Sequence, residues 1–255
     1  MNRSDTHAIS FKNLLIESLH IFKRNLYELL SLATIPFMAF SLLYLYIGES
    51  TIESLQQVPP GIIIILGILF FITNLFIFPI IIYMVQEDQL GKSITAKMSF
   101  TAIKAKFGRL FFGLMAYTGI MIFLGFMSVF IYTMTEFPTI LVSLMSIFLS
   151  IFMLKLLIDL LFYQQAIVLK DQKTIQSFAY SHTTTKKVWW KVFHSYFLLD
   201  ISLFLALNLI FSFLMPLENH LIISVLQGFA QGVVRVYIQI FVTLMFIKIK
   251  IEDES

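Results

Sequence analysis

Six long apolar stretches, separated by polar segments of very unequal length, dominate the sequence. They cover residues 26–47, 61–85, 110–134, 139–163, 190–215 and 221–247. An α-helix of about 20 apolar residues crosses the hydrocarbon core of a bilayer. Lipid offers the backbone no hydrogen-bond partner, so each crossing must satisfy itself as a helix, and a barrel would read as short alternating segments instead. The pattern predicts an all-α polytopic membrane protein: one membrane domain over residues 1–255 with six transmembrane helices. Pro36 and Pro79 fall inside the first two stretches and are expected to kink them rather than end them.

The polar segments before the first, third and fifth stretches share a design. They read SFKNLLIESLHIFKRNLYELL, SITAKMSFTAIKAKFGRLFFGLM and KTIQSFAYSHTTTKKVWWKVFHSY. Each holds a short amphipathic run, then a basic cluster, then the start of a span. In the first, Phe11, Leu15, Leu19 and Phe22 recur at helical spacing. The clusters Lys23–Arg24, Lys104–Lys106 and Lys186–Lys187 lie about 80 residues apart. The expected unit is an interfacial amphipathic helix followed by a two-helix hairpin, used three times. The alternative is a by-product of topology, because basic cytoplasmic loops are general among polytopic proteins. The amphipathic runs either bind anionic headgroups or only turn the chain into the bilayer.

Composition supports the membrane reading. Of 255 residues, 58% are hydrophobic and 13% charged, against about a quarter charged in soluble domains. No segment between the stretches is long enough to hide a soluble catalytic domain. There is no cysteine, which excludes disulfides, thiolate metal sites, a cysteine nucleophile and cysteine lipidation. The N-terminal MNRSDTHAISFKN lacks a signal-peptide pattern and is read as uncleaved. Sixteen of the 18 basic residues fall before the first span, between the second and third, between the fourth and fifth or, as Lys191, at the fifth span's mouth, or after the sixth. The other loops carry only Glu49, Glu53, Glu136 and Glu218. This asymmetry predicts both termini in the cytoplasm. Trp189 and Trp190, beside Lys187, are expected to anchor the cytoplasmic interface.

Charges inside the spans are the candidate chemistry. A charge at the bilayer centre costs about 2.5–3.5 kcal/mol even on the insertion scale, so each needs a partner or water. Counted along the helix, Arg235 lies about 18 Å from the cytoplasmic end, Asp200 about 15 Å and Lys155 about 12 Å. Asp200 and Arg235 are therefore the best-matched pair. Lys155 and Asp159, four residues apart, could extend it into a four-charge cluster, with Asn208 and Gln227, Gln231 and Gln239 adding hydrogen bonds. Such a cluster is either a polar site for a charged substrate, ion or proton, or a network that locks helices together. The proline breaks, at Pro36 and Pro79, are not at these charges, unlike the usual transporter pattern. Glu28, near the headgroups, could simply snorkel. Gly228 and Gly232 form a small-xxx-small spacing whose expected role is internal helix packing, with homodimerisation as the alternative.

Zinc, nucleophile-elbow, Walker and dinucleotide motifs are absent. His182 and His194 share a cytoplasmic segment without carboxylates at ligand spacing and are read as interfacial polar residues. No catalytic residue, metal or cofactor is expected, and no nucleic-acid partner.

The segment LLIDLLFYQQAIVLKDQKTIQSFAYSHTTTKKVWWKVFHSYFLLD resembles a motif of a six-helix bacterial membrane superfamily. That superfamily includes YciC-type proteins and the membrane-anchor domain of some glycerophosphodiester phosphodiesterases. The matching positions are Ala166, Val168, Lys170, Asp171, Ile175, Phe178, Ser181, Thr183, Lys187, Trp189, Trp190, Val192 and Phe193. Lys170 stands where the family has an acidic residue. The resemblance implies the six-helix fold and the bacterial cytoplasmic membrane. The phosphodiesterase barrel is missing, so that activity does not carry over. The expected function is a non-enzymatic membrane protein acting through membrane lipids, anionic headgroups among them, or a membrane protein partner, in envelope homeostasis or resistance to membrane-active peptides. The alternative is a small transporter or lipid-handling protein using Lys155, Asp159, Asp200 and Arg235.

Overall fold

A computed structural model describes residues 10–47, 59–133, 139–214 and 220–254. The four acidic residues assigned to the short loops lie outside them. Among the described residues every regular element is a helix. A short amphipathic helix, α1 (Phe11–Arg24), precedes α2 (Leu26–Ile47). Helix α3 runs from Pro60 to Gln89, followed by the short α4 (Ala96–Ile103). Then come α5 (Phe107–Thr133), α6 (Thr139–Asp159) and α7 (Tyr163–Lys170). The chain continues with α8 (Thr174–Lys186), α9 (Trp189–Leu214) and α10 (His220–Glu254).

Among the described residues, five segments are long and apolar enough to cross a membrane: Pro60–Gln89, Ala96–Ile131, Thr139–Lys170, Trp189–Phe213 and Ile222–Ile249. The chain is thus an all-α protein with membrane-spanning helices. The first expected span coincides with α2, of which Leu26–Ala39 is counted as a shorter apolar helix. The expected bounds hold for α2 and for the start of α6 at Thr139, while the expected ends at 134 and 215 lie outside the described residues. Helix α10 continues seven residues beyond Ile247.

The helices form two compact units, residues 1–104 with 194–255, and residues 105–193. In the first, α10 is the central helix and its most apolar window is mostly buried. It lies against α2 at a close approach. A Cβ built on Gly228 would stand 2.5 Å from the Ser41 backbone nitrogen, and one on Gly232 2.8 Å from that of Phe37. The two glycines therefore pack α10 on α2 inside the chain, as the first of the two readings expects. Helix α1 also docks on α10. The Ser18 hydroxyl donates to Tyr237 Oη at 2.9 Å, Phe22 and Phe11 meet Tyr237 and Phe241 edge to face, and Lys248 pairs with Glu17 at 3.1 Å.

Pro79 does not simply kink α3. The helix widens into a π-turn over Thr73–Ile77, where the Phe78 N–H reaches back to the Thr73 carbonyl. Proline lacks an N–H and its ring clashes with the carbonyl four residues back, and the wider turn relieves both.

The second unit is built from α5, α6, α7 and α8. Its polar core is unusual beside lipid: Ser177, Ser181, Thr184 and Thr185 line the buried face of α8, and Gln164 and Gln165 are buried on α7. By contrast the most apolar window of α6 contains no buried residue, the composition of a surface turned to lipid.

Candidate functional site

The depth argument pairs Asp200 with Arg235, and the side chains meet: Arg235 Nη1 donates to Asp200 Oδ1 at 3.1 Å in the first unit. Each side chain remains about one-third exposed. Gln227 and Gln231 are buried on α10, and Gln239 Nε2 is buried without a partner among the described residues. Asn208 donates to the Phe204 carbonyl of its own helix at 2.8 Å rather than to the pair.

Lys155 and Asp159 belong to the second unit and pair with each other. The four charges are thus two pairs, each closed within its own unit. Asp159 is the last residue of α6, so Lys155 stands one turn from a helix end rather than eight residues inside a span that continues to Tyr163. The sequence reading found no break at these charges, and here the structure corrects it: the chain interrupts its helix at Leu160–Phe162. No Gly or Pro announces the break. Ser181 holds it instead, donating to the Asp159 carbonyl at 2.7 Å and accepting the Phe162 N–H at 3.0 Å. One buried hydroxyl thereby satisfies a carbonyl and an N–H that a continuous helix would have paired.

His182, read from the sequence as an interfacial polar residue without a carboxylate, sits one position along α8. Its Nδ1 lies 3.2 Å from Asp159 Oδ2, the oxygen that also pairs with Lys155. The Asp159 side chain is 8% exposed, while those of Lys155 and His182 are 56% and 45% exposed. A buried carboxylate therefore holds two cationic or potentially cationic heads that face outward. Asp159 Oδ1 is buried without a partner among the described residues.

Two further polar joints close the ends of hairpins. In the first unit Arg24 and Asn25 both donate to Asp88, the latter at 3.1 Å. Glu28 does not snorkel but accepts the Ala96 N–H at 3.1 Å, at the start of α4. In the second unit Asp171 accepts from Lys106 at 3.3 Å and Arg109 at 3.1 Å. Hydrogen bonding to Lys106 first, then to Arg109, holds the Asp171 carboxyl below the ordinary carboxylate range. Lys106 also donates to the Val168 carbonyl at 2.7 Å and Arg109 to the Asp171 carbonyl at 2.8 Å. Asp171 adopts φ +55°, a left-handed conformation that Asp tolerates better than most residues, and Gly91 after α3 takes φ +74°.

Of the interfacial aromatics, Trp190 is 67% exposed, whereas Trp189 stacks on Phe193 and its Nε1 is buried. Lys187 is exposed at the end of α8. Among the described residues no group of three His, Cys, Asp or Glu side chains is placed to hold a metal.

Comparison with protein-family models, curated proteins and solved structures gave no match.

Proposed function

We propose that the chain is a six-span, non-enzymatic protein of the bacterial cytoplasmic membrane, with both termini in the cytoplasm, that acts through membrane lipids or a membrane protein partner at its basic face. The observation that carries this reading is the surface of the short helices. Helix α1 exposes Lys12 and Lys23 one turn from Ile16 and Leu19, and Lys173 just before α8, Ile175 in its first turn and Lys186 at its end are exposed as well. A helix that exposes lysine and large apolar side chains together suits the plane of an anionic interface. The ion pairs inside the spans support the same reading, since each is closed on a partner. Envelope homeostasis or resistance to membrane-active peptides is the process in which such a protein would act.

The threefold unit draws support from the two joints. Arg24 and Asp88 are 64 residues apart and Arg109 and Asp171 are 62 apart; a positive-φ residue, Gly91 after the first joint and Asp171 itself in the second, then leads into a short helix. Asp171, Ser181 and Trp190 also belong to the motif shared with the six-helix superfamily, which the reading takes as the chain's kinship.

The absence of cysteine makes the topology directly testable. Single cysteines placed at residues 50, 136 and 218 should react with a membrane-impermeant maleimide in intact cells, and cysteines at 92, 173 and 250 only after lysis. For function, a deletion strain should become more sensitive to cationic membrane-active peptides. Full rescue by a gene in which Lys12, Lys23, Lys173 and Lys186 are all glutamine would refute a role for the basic face. A second reading, a small transporter or lipid-handling protein, is favoured by one observation: Asp159 at an interrupted helix. Charged-solute flux in proteoliposomes that disappears in Asp159→Asn would select it.

A further inference from the structure

We propose that Lys155 and His182 form the headgroup end of a binding site for one anionic glycerophospholipid, whose acyl chain lies along the outer face of α6. The proposal rests on the lipid branch of the function above and names where it acts.

On α6, Leu144, Phe148 and Ile151 follow one another at helical spacing and are 60%, 73% and 62% exposed. Lys155 continues the same face one turn later, where the apolar stripe ends. Its head does not hang free: Asp159 holds it, and the same carboxylate oxygen holds His182 from α8. An ammonium has three donors and the carboxylate engages one, so two stay available on Lys155. His182 turns Nδ1 to Asp159, and its side chain is 45% exposed. Lys186, one turn further along α8, is exposed as well. Asp159 thus meets one lysine and one imidazole, and Lys186, one turn from His182, adds a second lysine, so the patch carries more positive charge than negative. An apolar stripe that leads directly into a fixed cationic head matches a lipid in both halves, chain and phosphate. Asp159 acts as the positioning group, and Ser181 fixes its backbone.

The test uses the full-length protein, delipidated in detergent, with bound lipid counted by native mass spectrometry. Phosphatidylglycerol should bind in preference to phosphatidylcholine, and soluble glycerol 3-phosphate should not displace it. The double variant Lys155→Gln/Asp159→Asn removes the charges together, so no buried carboxylate is left alone, and it should lose about fivefold of the preference, the factor carried by one basic side chain near an anionic lipid. Lys155→Arg should retain it. Phe148→Ser should weaken both lipids alike. An unchanged preference in the double variant overturns the site. Displacement by equimolar glycerol 3-phosphate also overturns it, pointing to a free anion instead. Either failure leaves the peptide-sensitivity result standing on its own, since that result tests the basic face as a whole.

Discussion

The close approach of α10 to α2 can be tested by adding one methyl group. In Gly228→Ala the new Cβ would lie 2.2 Å from Ser41 Oγ, 2.5 Å from its backbone nitrogen and 2.6 Å from its Cα. The hydroxyl can rotate away, but the backbone atoms cannot. Ordinary contact begins at 3.4 Å, so the helices must separate by roughly 1 Å locally, at an overpacking cost of about 1–3 kcal/mol. Alanine's better helix propensity offsets up to about 1 kcal/mol of that. Gly125→Ala on α5 is the matched control, because nothing lies within 4 Å of its built Cβ, and there the propensity gain should stand alone. Thermal unfolding in detergent, followed by helix content, should therefore lower Tm by about 2–8 °C for Gly228→Ala and leave it level or raise it for Gly125→Ala. Gly232→Ala, at 2.8 Å from the Phe37 nitrogen, should fall between them. Equal Tm values for Gly228→Ala and Gly125→Ala would refute the packing argument.

Other expectations follow from the polar joints. Asp200→Asn and Arg235→Gln should each destabilise, and the double variant should cost less than their sum by about 0.6–1.7 kcal/mol, the coupling seen between polar groups in membrane helices. A double variant that costs the full sum of the two singles would dissolve the pair. Ser181→Ala orphans the buried Phe162 N–H and Asp159 carbonyl and should cost about 1–3 kcal/mol in unfolding titrations, whereas Thr183→Ala, exposed on the same helix, should be near neutral. Asp171 has a folded-state pKa below its unfolded value, so its contribution is present at neutral pH and is lost as pH falls through the depressed folded value. Hydrogen exchange at the α7–α8 turn should rise across that acid range in the wild type and not in Asp171→Asn. Asp171→Ala should loosen the turn more than Asp171→Asn, since alanine also resists φ +55°.

What could be read from the sequence, and what could not, divides by the range of the interaction. The helices were legible because lipid imposes a local rule: about 20 apolar residues in a row. The Asp200–Arg235 bond was legible for a related reason. Two helices joined by a short loop run antiparallel, so residues counted from their cytoplasmic ends give comparable depths, and Asp200 and Arg235 fall at similar depth on these neighbouring helices. Lys155 and Asp159 misled the same counting, because it assumed a helix continuous to Tyr163. The interruption at Leu160–Phe162 depends on Ser181, about 20 residues away, and no local rule of Gly or Pro encodes it. His182 was missed for the same cause: its carboxylate is supplied by the broken helix, not by its own segment. One signal was available. Ser177, Ser181 and Thr185 recur every four residues on a helix that was expected only to rest on the membrane, yet an interfacial helix turns its apolar face inward. Ser177 and Thr185 donate to carbonyls of their own helix, while Ser181 turns its hydroxyl to the broken one, so the row marks a close approach in which a single member closes the break. At Pro79 the helix merely widens, while at Asp159, with no proline near, it stops.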